Sequence, residues 1–191
     1  MFLTATEIEG YVQSGELLIE PFSSNQLKPV SCVLHLSNRW RKWTASSEPI
    51  DLYDTQASDC SFTPIFTSEE QILSKGEFLL GATVERIKLP SDIVAIITPL
   101  SHIARWGLCV NFGSMFVSPG FGVACRTALT LELASFNQSP LILRNGLPIC
   151  HLAFIKVKKD NKSYPLKQSV YDGRETPIGS LLNEECKIFM E

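Results

Sequence analysis

The chain has 191 residues, 45% of them hydrophobic and 19% charged, with a formal net charge of -3. This length and apolar content suit one buried core rather than two independent domains, and a mildly acidic chain without a long Lys/Arg run is a poor nucleic-acid binder. No apolar run reaches the roughly 18 residues of a membrane-spanning helix, and MFLTATEIEG has no basic segment leading into an apolar one, so a cytoplasmic protein with neither membrane span nor signal peptide is expected.

The first predicted element is a helix. In LTATEIEGYVQSGELLI, Thr4 can cap it, Glu7 can reach back in a capping box, and Leu3 and Ile8 occupy the positions of a hydrophobic staple. It should run to about Ser14 and stop at Gly15. Gly and Pro then separate short segments rich in Val, Ile, Leu, Thr and Phe: SCVLHLSNRWRKW, EFLLGATVERIKL, DIVAIITPL, LCVNFGSMFV, TALTLELASF and PLILRNGLPICHLAFIKV. Several strands at short spacing predict an all-β barrel or sandwich. Residues 44 to 75 read as a polar excursion carrying a strand or short helix, with Trp40 and Trp43 before it as core or interface aromatics.

Between the third and fourth strand segments, LSHIARWGL predicts a short helix with Ser101 as N-cap and Gly107 as left-handed stop. Ser101 and Arg105, four apart, then share one face and make a constellation fit for a water or a phosphate. The simpler reading is a cap and a surface ion pair.

The six cysteines, Cys32, Cys60, Cys109, Cys125, Cys150 and Cys186, never approach C-x-x-C spacing, and most are expected to be small buried hydrophobes. His35, His102 and His151 are isolated, and the H-x-E and P-C-x-x-C pair of zinc-dependent base deaminases is absent; no zinc site is expected. His151 reads as a satisfied interior histidine.

In TALTLELASF, alternation puts Leu129, Leu131 and Leu133 on one strand face and Ala128, Thr130 and Glu132 on the other. If the leucines are core, Glu132 faces solvent, a cleft or a subunit interface. A lone strand glutamate is most often merely solvated.

The order of motifs adds to this. KGEFLLGATVERIKLPSDIVAIITPLSHIARWGL, VSPGF, TLEL, PLILRNGLPICHLAF and VYDGRETPIGS, preceded by IEGYVQSGELLIEP and LHLSNRWRKW, resemble in sequence and order the metal-free dCTP deaminase branch of the dUTPase-like family, over residues 3 to 182. The resemblance implies a mainly β, dUTPase-like distorted jelly-roll β-barrel with a short N-terminal helix and a short helix at about 101–107. It further implies one domain over residues 1–182 followed by a C-terminal tail at 183–191, and a homotrimer with nucleotide sites between subunits. The implied reaction is hydrolysis of dCTP to dUTP and ammonia, with Mg²⁺ accompanying the triphosphate and no zinc.

By the same resemblance Glu132 is the general base, Ser101 and Arg105 orient water and stabilise charge, and the backbone of Ser114 contacts the catalytic water. Phe121 and Tyr171 border the nucleotide. The chain departs from the family at the phosphate-binding arginine, where Leu100 stands, and at an arm lysine replaced by Val170; His102 and Arg174 are expected to rebuild the anion site. Ser118 takes the place of the aspartate that dUTPases use as base, which argues against dUTP hydrolysis. About four extra residues precede Thr130, so either the strand starts late or the base is displaced. Three functions compete: a divergent deaminase, a degenerate nucleotide-binding or trimeric interaction protein, and a dUTP pyrophosphatase.

Overall fold

The computed structural model describes residues 1–44, 49–52, 61–158 and 176–181. Helix α1 spans Ala5–Gln13, one residue short of the expected end. The capping box forms as anticipated: the Glu7 N–H donates to Thr4 Oγ1, and the Thr4 N–H donates to Glu7 Oε2 at 2.8 Å. Such a cap is worth about 1 kcal/mol. Leu3 and Ile8 are both buried, as a staple requires, and Gly15 takes a left-handed φ of 76° beyond the helix.

The rest is β structure. In chain order the strands are β1 (Leu18–Glu20), β2 (Leu27–Lys28), β3 (Ser31–Lys42), β4 (Phe66–Thr67), β5 (Glu70–Leu73), β6 (Phe78–Lys88), β7 (Ile93–Pro99), β8 (Leu108–Cys109), β9 (Phe116–Val117), β10 (Thr127–Ser135), β11 (Leu141–Arg144) and β12 (Pro148–Lys156). A short helix α2 (Ser101–Ala104) follows β7. The polar excursion carries β4 and β5. The segment read as LCVNFGSMFV splits into β8 and β9 around an irregular loop.

One curled ten-stranded sheet runs β8-β10-β6-β3-β12-β7-β9, with β1 on β6 and β2 and β4 on β3; β5 and β11 pair separately. Strand β3 explains the curl. Its first half pairs with β12 (Cys32 opposite Leu152) and its second with β6 (Trp40 opposite Gly81), so one long strand belongs to both walls. The architecture is the mainly β, jelly-roll type expected.

Alternating apolar positions from both walls meet inside. Leu34, Leu36, Trp40, Leu79, Leu131, Leu133, Leu152 and Phe154 are almost fully buried in one cluster that also takes Ile8 of α1. Full burial of each Leu or Phe contributes about 1.5–3 kcal/mol. Gly81 is needed there because a Cβ would lie 3.1–3.3 Å from Leu133, Leu36 and Trp40. The indole N–H of Trp40 donates to the Ser68 carbonyl at 2.8 Å, so the burial leaves no orphan donor. Trp43 is 43% exposed and stacks edge-on against Phe62 at 4.9 Å, a surface aromatic.

Two expectations need correction. Leu100, not Ser101, is the N-cap of α2, without a side-chain cap bond, and the helix closes at Ala104 rather than near 107. Its Ncap φ and ψ of -62° and 136° are extended because the Leu100 N–H donates to the Ile149 carbonyl of β12, which holds the chain on the sheet for one residue longer. Gly107 does take the left-handed stop, at φ 71°. Among the described cysteines only Cys32 and Cys150 are buried; Cys109 is half-buried and Cys125 exposed in the turn before β10.

Candidate functional site

Strand β10 carries Glu132 and pairs with β6 along its length and with β8 at its end. Leu129, Leu131 and Leu133 point into the core while Thr130 and Glu132 are half-buried on the opposite face, as the alternation predicts. Glu132 lies opposite Leu80 of β6, and Leu80 in turn opposite Arg41 of β3. Side chains in such a row share one face of the sheet. Leu80 is buried, and Arg41, only 7% exposed, donates through Nε to the Thr63 carbonyl at 2.9 Å with its guanidinium 5.5 Å from the Phe62 ring.

This face is therefore partly covered, and the cover has a chemical effect. Burial pushes the Glu132 carboxyl above its ordinary value; hydrogen bonding from the Phe112 backbone and from its own backbone offsets this in part. Removal from water penalises the ionised form, so the group is tuned towards the range in which a general base works. Among the described residues, neither Ser101 nor Arg105 bonds to Glu132.

The loop between β8 and β9 supplies the rest of the wall. Asn111 Nδ2 donates to the Ser114 carbonyl at 3.3 Å and lies 3.5 Å from the Ile97 carbonyl, which shapes the loop. Phe112 leans edge-on over Phe78 at 6.4 Å. The Ser114 carbonyl, the expected water contact, already accepts one hydrogen bond, leaving its second lone pair for another donor. Arg41, Asn111 and Phe112 went unnoticed in the sequence. Only the paired sheet shows them: Arg41 shares a row with Glu132 across Leu80, the Phe112 backbone bonds to Glu132, and Asn111 holds the loop that carries Phe112.

Ser101 and Arg105 are exposed on α2, joined by the Arg105 N–H to the Ser101 carbonyl at 3.1 Å. Helix α2 leads into β8, whose Cys109 pairs with Ala134, two residues beyond Glu132. His102 is also exposed there. In the segments that follow α2 and β10, Trp106, Phe112, Met115, Phe116 and Phe136 are each 47–67% exposed. Phe121 is half-buried against the core and its carbonyl accepts from the Leu89 N–H at 2.8 Å. Tyr171, Arg174 and Val170 lie outside the described residues, as does the tail at 183–191.

A turn over residues 122–126 precedes β10, which begins at Thr127 and carries Glu132 opposite Leu80. Ser118 opens the tight Ser118-Pro119-Gly120-Phe121 turn: its carbonyl accepts from Phe121 N–H at 3.1 Å, and Gly120 has φ 81°. His151 is half-buried with Nδ1 3.2 Å from Ser31 Oγ, and desolvation followed by the Lys28 charge lowers its pKa, in keeping with a satisfied structural histidine. Among the described residues no group of three or more His, Cys, Asp or Glu is arranged to hold a metal ion, and no helix is long and apolar enough to cross a membrane.

Comparison with known proteins gives the chain its family. The chain is 33% identical to a dCTP deaminase, dUMP-forming, of Dictyoglomus thermophilum over 98% of both chains, and 31% identical to a protein of that description from Methanoculleus marisnigri over 88% of this chain and 87% of the other. The fold matches the crystal structure of the 2'-deoxycytidine 5'-triphosphate deaminase from Agrobacterium tumefaciens with a TM-score of 0.61 at 19% identity, over 80% of this chain and 47% of that one; the present chain thus spans about half its length. The model of the dCTP deaminase-like family matches residues 2–157, and the chain belongs to that family.

Proposed function

We propose that the protein hydrolyses the 4-amino group of dCTP, with Glu132 as general base and dUTP and ammonia as products. The observation that carries this reading is the half-buried Glu132, held on a rigid strand and pushed up in pKa by burial. Its carboxylate takes a proton from water as the water oxygen bonds to C4, and the proton passes to N3. A second transfer to the amino nitrogen accompanies C4–N cleavage, so water and dCTP account for every atom of dUTP and ammonia.

Arg105 and Ser101, exposed with uncovered aromatics following them in the chain, fit a site completed by a neighbouring subunit, and a homotrimer is the assembly we propose. In it Arg105 meets charge developing on the ring and Ser101 orients the water, while the Ser114 carbonyl accepts from that water. Phe121 and Tyr171 border the nucleotide, and His102 and Arg174 hold phosphate in place of the arginine lost at Leu100. Mg²⁺ would enter with the triphosphate, whose oxygens and water suit a hard cation; the protein is asked to hold the phosphates.

A second reading, formation of dUMP, is favoured by the names of the full-length relatives. Ser118 speaks for dUTP release instead, since an exposed serine in a tight turn brings no base for attack on the α-phosphate. Ammonia, dUTP, dUMP and pyrophosphate measured with dCTP and Mg²⁺, for the wild type and Glu132→Gln, test both. Ammonia and dUTP in equal amounts, lost in the variant, is the expected result. Pyrophosphate matching ammonia selects the second reading. Nucleotide binding without turnover would leave a degenerate nucleotide-binding protein.

A further inference from the structure

The β6 and β10 strands do not pair evenly. Thr127 and Ala128 stand opposite Ile87 and Arg86, but Thr130, Leu131 and Glu132 stand opposite Ala82, Gly81 and Leu80. Three residues of β6, Thr83, Val84 and Glu85, therefore face Leu129 alone. Had the first register continued, Glu132 would face Ala82, two residues or about 7 Å away along the strand. A two-residue slip keeps the leucines on the core face, so hydrophobic patterning does not guard against it.

Something other than pattern must fix the register, and a single buried hydroxyl stands at the required place. Thr83 is 2% exposed; its Oγ1 donates to the Glu85 carbonyl at 2.7 Å and accepts from the Leu129 N–H at 3.0 Å. One contact closes the bulge and the other pins β10 to it, three residues before Glu132. Glu85 anchors the far side of the bulge through the His35 backbone N–H, His35 Nδ1 and Gln26 Nε2. We propose that Thr83 is a positioning residue for Glu132, the hydroxyl that sets where along the sheet the base meets the Phe112 loop. This rests on the reading of Glu132 as base; bulges that re-aim a side chain beside an active site are a recurrent device.

The test compares Thr83→Val, which keeps the shape and removes both hydrogen bonds, with Thr83→Ser, which keeps them. Turnover of dCTP is followed against pH, and the Glu132 carboxyl is titrated directly by carbon-13 NMR in the nucleotide-free protein. Expected for Thr83→Val is a fall in kcat of about a hundredfold, the cost of a displacement of about 1 Å, with KM changed less than about threefold. Its Glu132 carboxyl should also titrate closer to the ordinary carboxylate range, and Thr83→Ser should restore both. An unshifted titration and kcat in folded Thr83→Val would overturn the proposal, as would equal impairment in Val and Ser. Absent turnover in the wild type would defeat the deaminase reading, whereas the titration would still decide the positioning.

Discussion

Glu85 and His35 are joined twice across β6 and β3: the carboxylate accepts the His35 backbone N–H at 2.9 Å and Nδ1 at 2.7 Å, although Glu85 is only 1% exposed. Gln26 Nε2 adds a third donor at 2.8 Å. A buried carboxylate is tolerable only when so satisfied, and removing it strands its partners.

Glu85→Ala should therefore cost about 3 kcal/mol or more. For a chain of this size the matching fall in melting temperature is about 6–12 °C. Glu85→Gln, which retains one acceptor oxygen, should lie between. Thermal unfolding monitored by circular dichroism checks this, and a loss in Glu85→Ala below about 1 kcal/mol would remove the network's structural role.

For Glu132 stability and activity should move in opposite directions. Its folded pKa lies above the ordinary 4.5 because burial disfavours the carboxylate. The stability gained by holding it protonated is fully present below the unfolded value and is lost as pH rises through the raised folded value. At neutral pH the ionised group is thus a liability. Glu132→Gln should unfold no earlier than the wild type at pH 7 and lose turnover by at least a hundredfold, in the usual range for a removed base. In the wild type, kcat should fall on acidification with a midpoint above 4.5. A variant that retains rapid turnover would exclude Glu132 as base.

Much of this was legible in the chain. The Thr4 capping box, the leucine alternation of β10 and the outward Glu132 follow from local rules of spacing, and the structure reproduces them. The bulge was not: FLLGATVERIKL offers only a strand segment, with no Gly or Pro at Thr83, Val84 or Glu85 to mark an irregularity. Only pairing with β10, more than 40 residues on, shows Thr83 bridging strands and Glu85 sealed beneath them. Likewise Ser101 has the composition of a cap, but the hydrogen bond of Leu100 to β12 moves the helix start by one residue.

Gly122 tests how rigid the turn before β10 is. Its φ is 72°, and a Cβ built there would lie 2.1 Å from the Ile87 carbonyl oxygen, a backbone atom of β6 that cannot swing aside. Gly146 also has a left-handed φ, 78°, but no atom within 4 Å of such a Cβ. Gly146→Ala should cost about 1–2 kcal/mol from conformation alone, and Gly122→Ala at least about 3 kcal/mol because the turn must also move. Equal losses in urea unfolding would mean that the turn at Gly122 yields freely.

The cysteines offer a reading of the same region from inside. Burial, aided by the Glu85 charge, pushes the Cys32 thiol up to about 12. Burial likewise raises Cys150, with Glu85 and then Cys32 adding to the shift. Thiolate is the reactive form, so both should be inert to iodoacetamide at pH 8 while exposed Cys125 reacts. The protection should reach a thousandfold or more, on the order set by global opening of a marginally stable domain. Glu85→Ala removes one cause of the raised pKa and weakens the sheet around both thiols, so peptide mapping should find Cys32 and Cys150 labelled faster in that variant while Cys125 is unchanged. If their rates stay level while the melting temperature falls, opening at the Glu85 network and exposure of the two thiols are separate events.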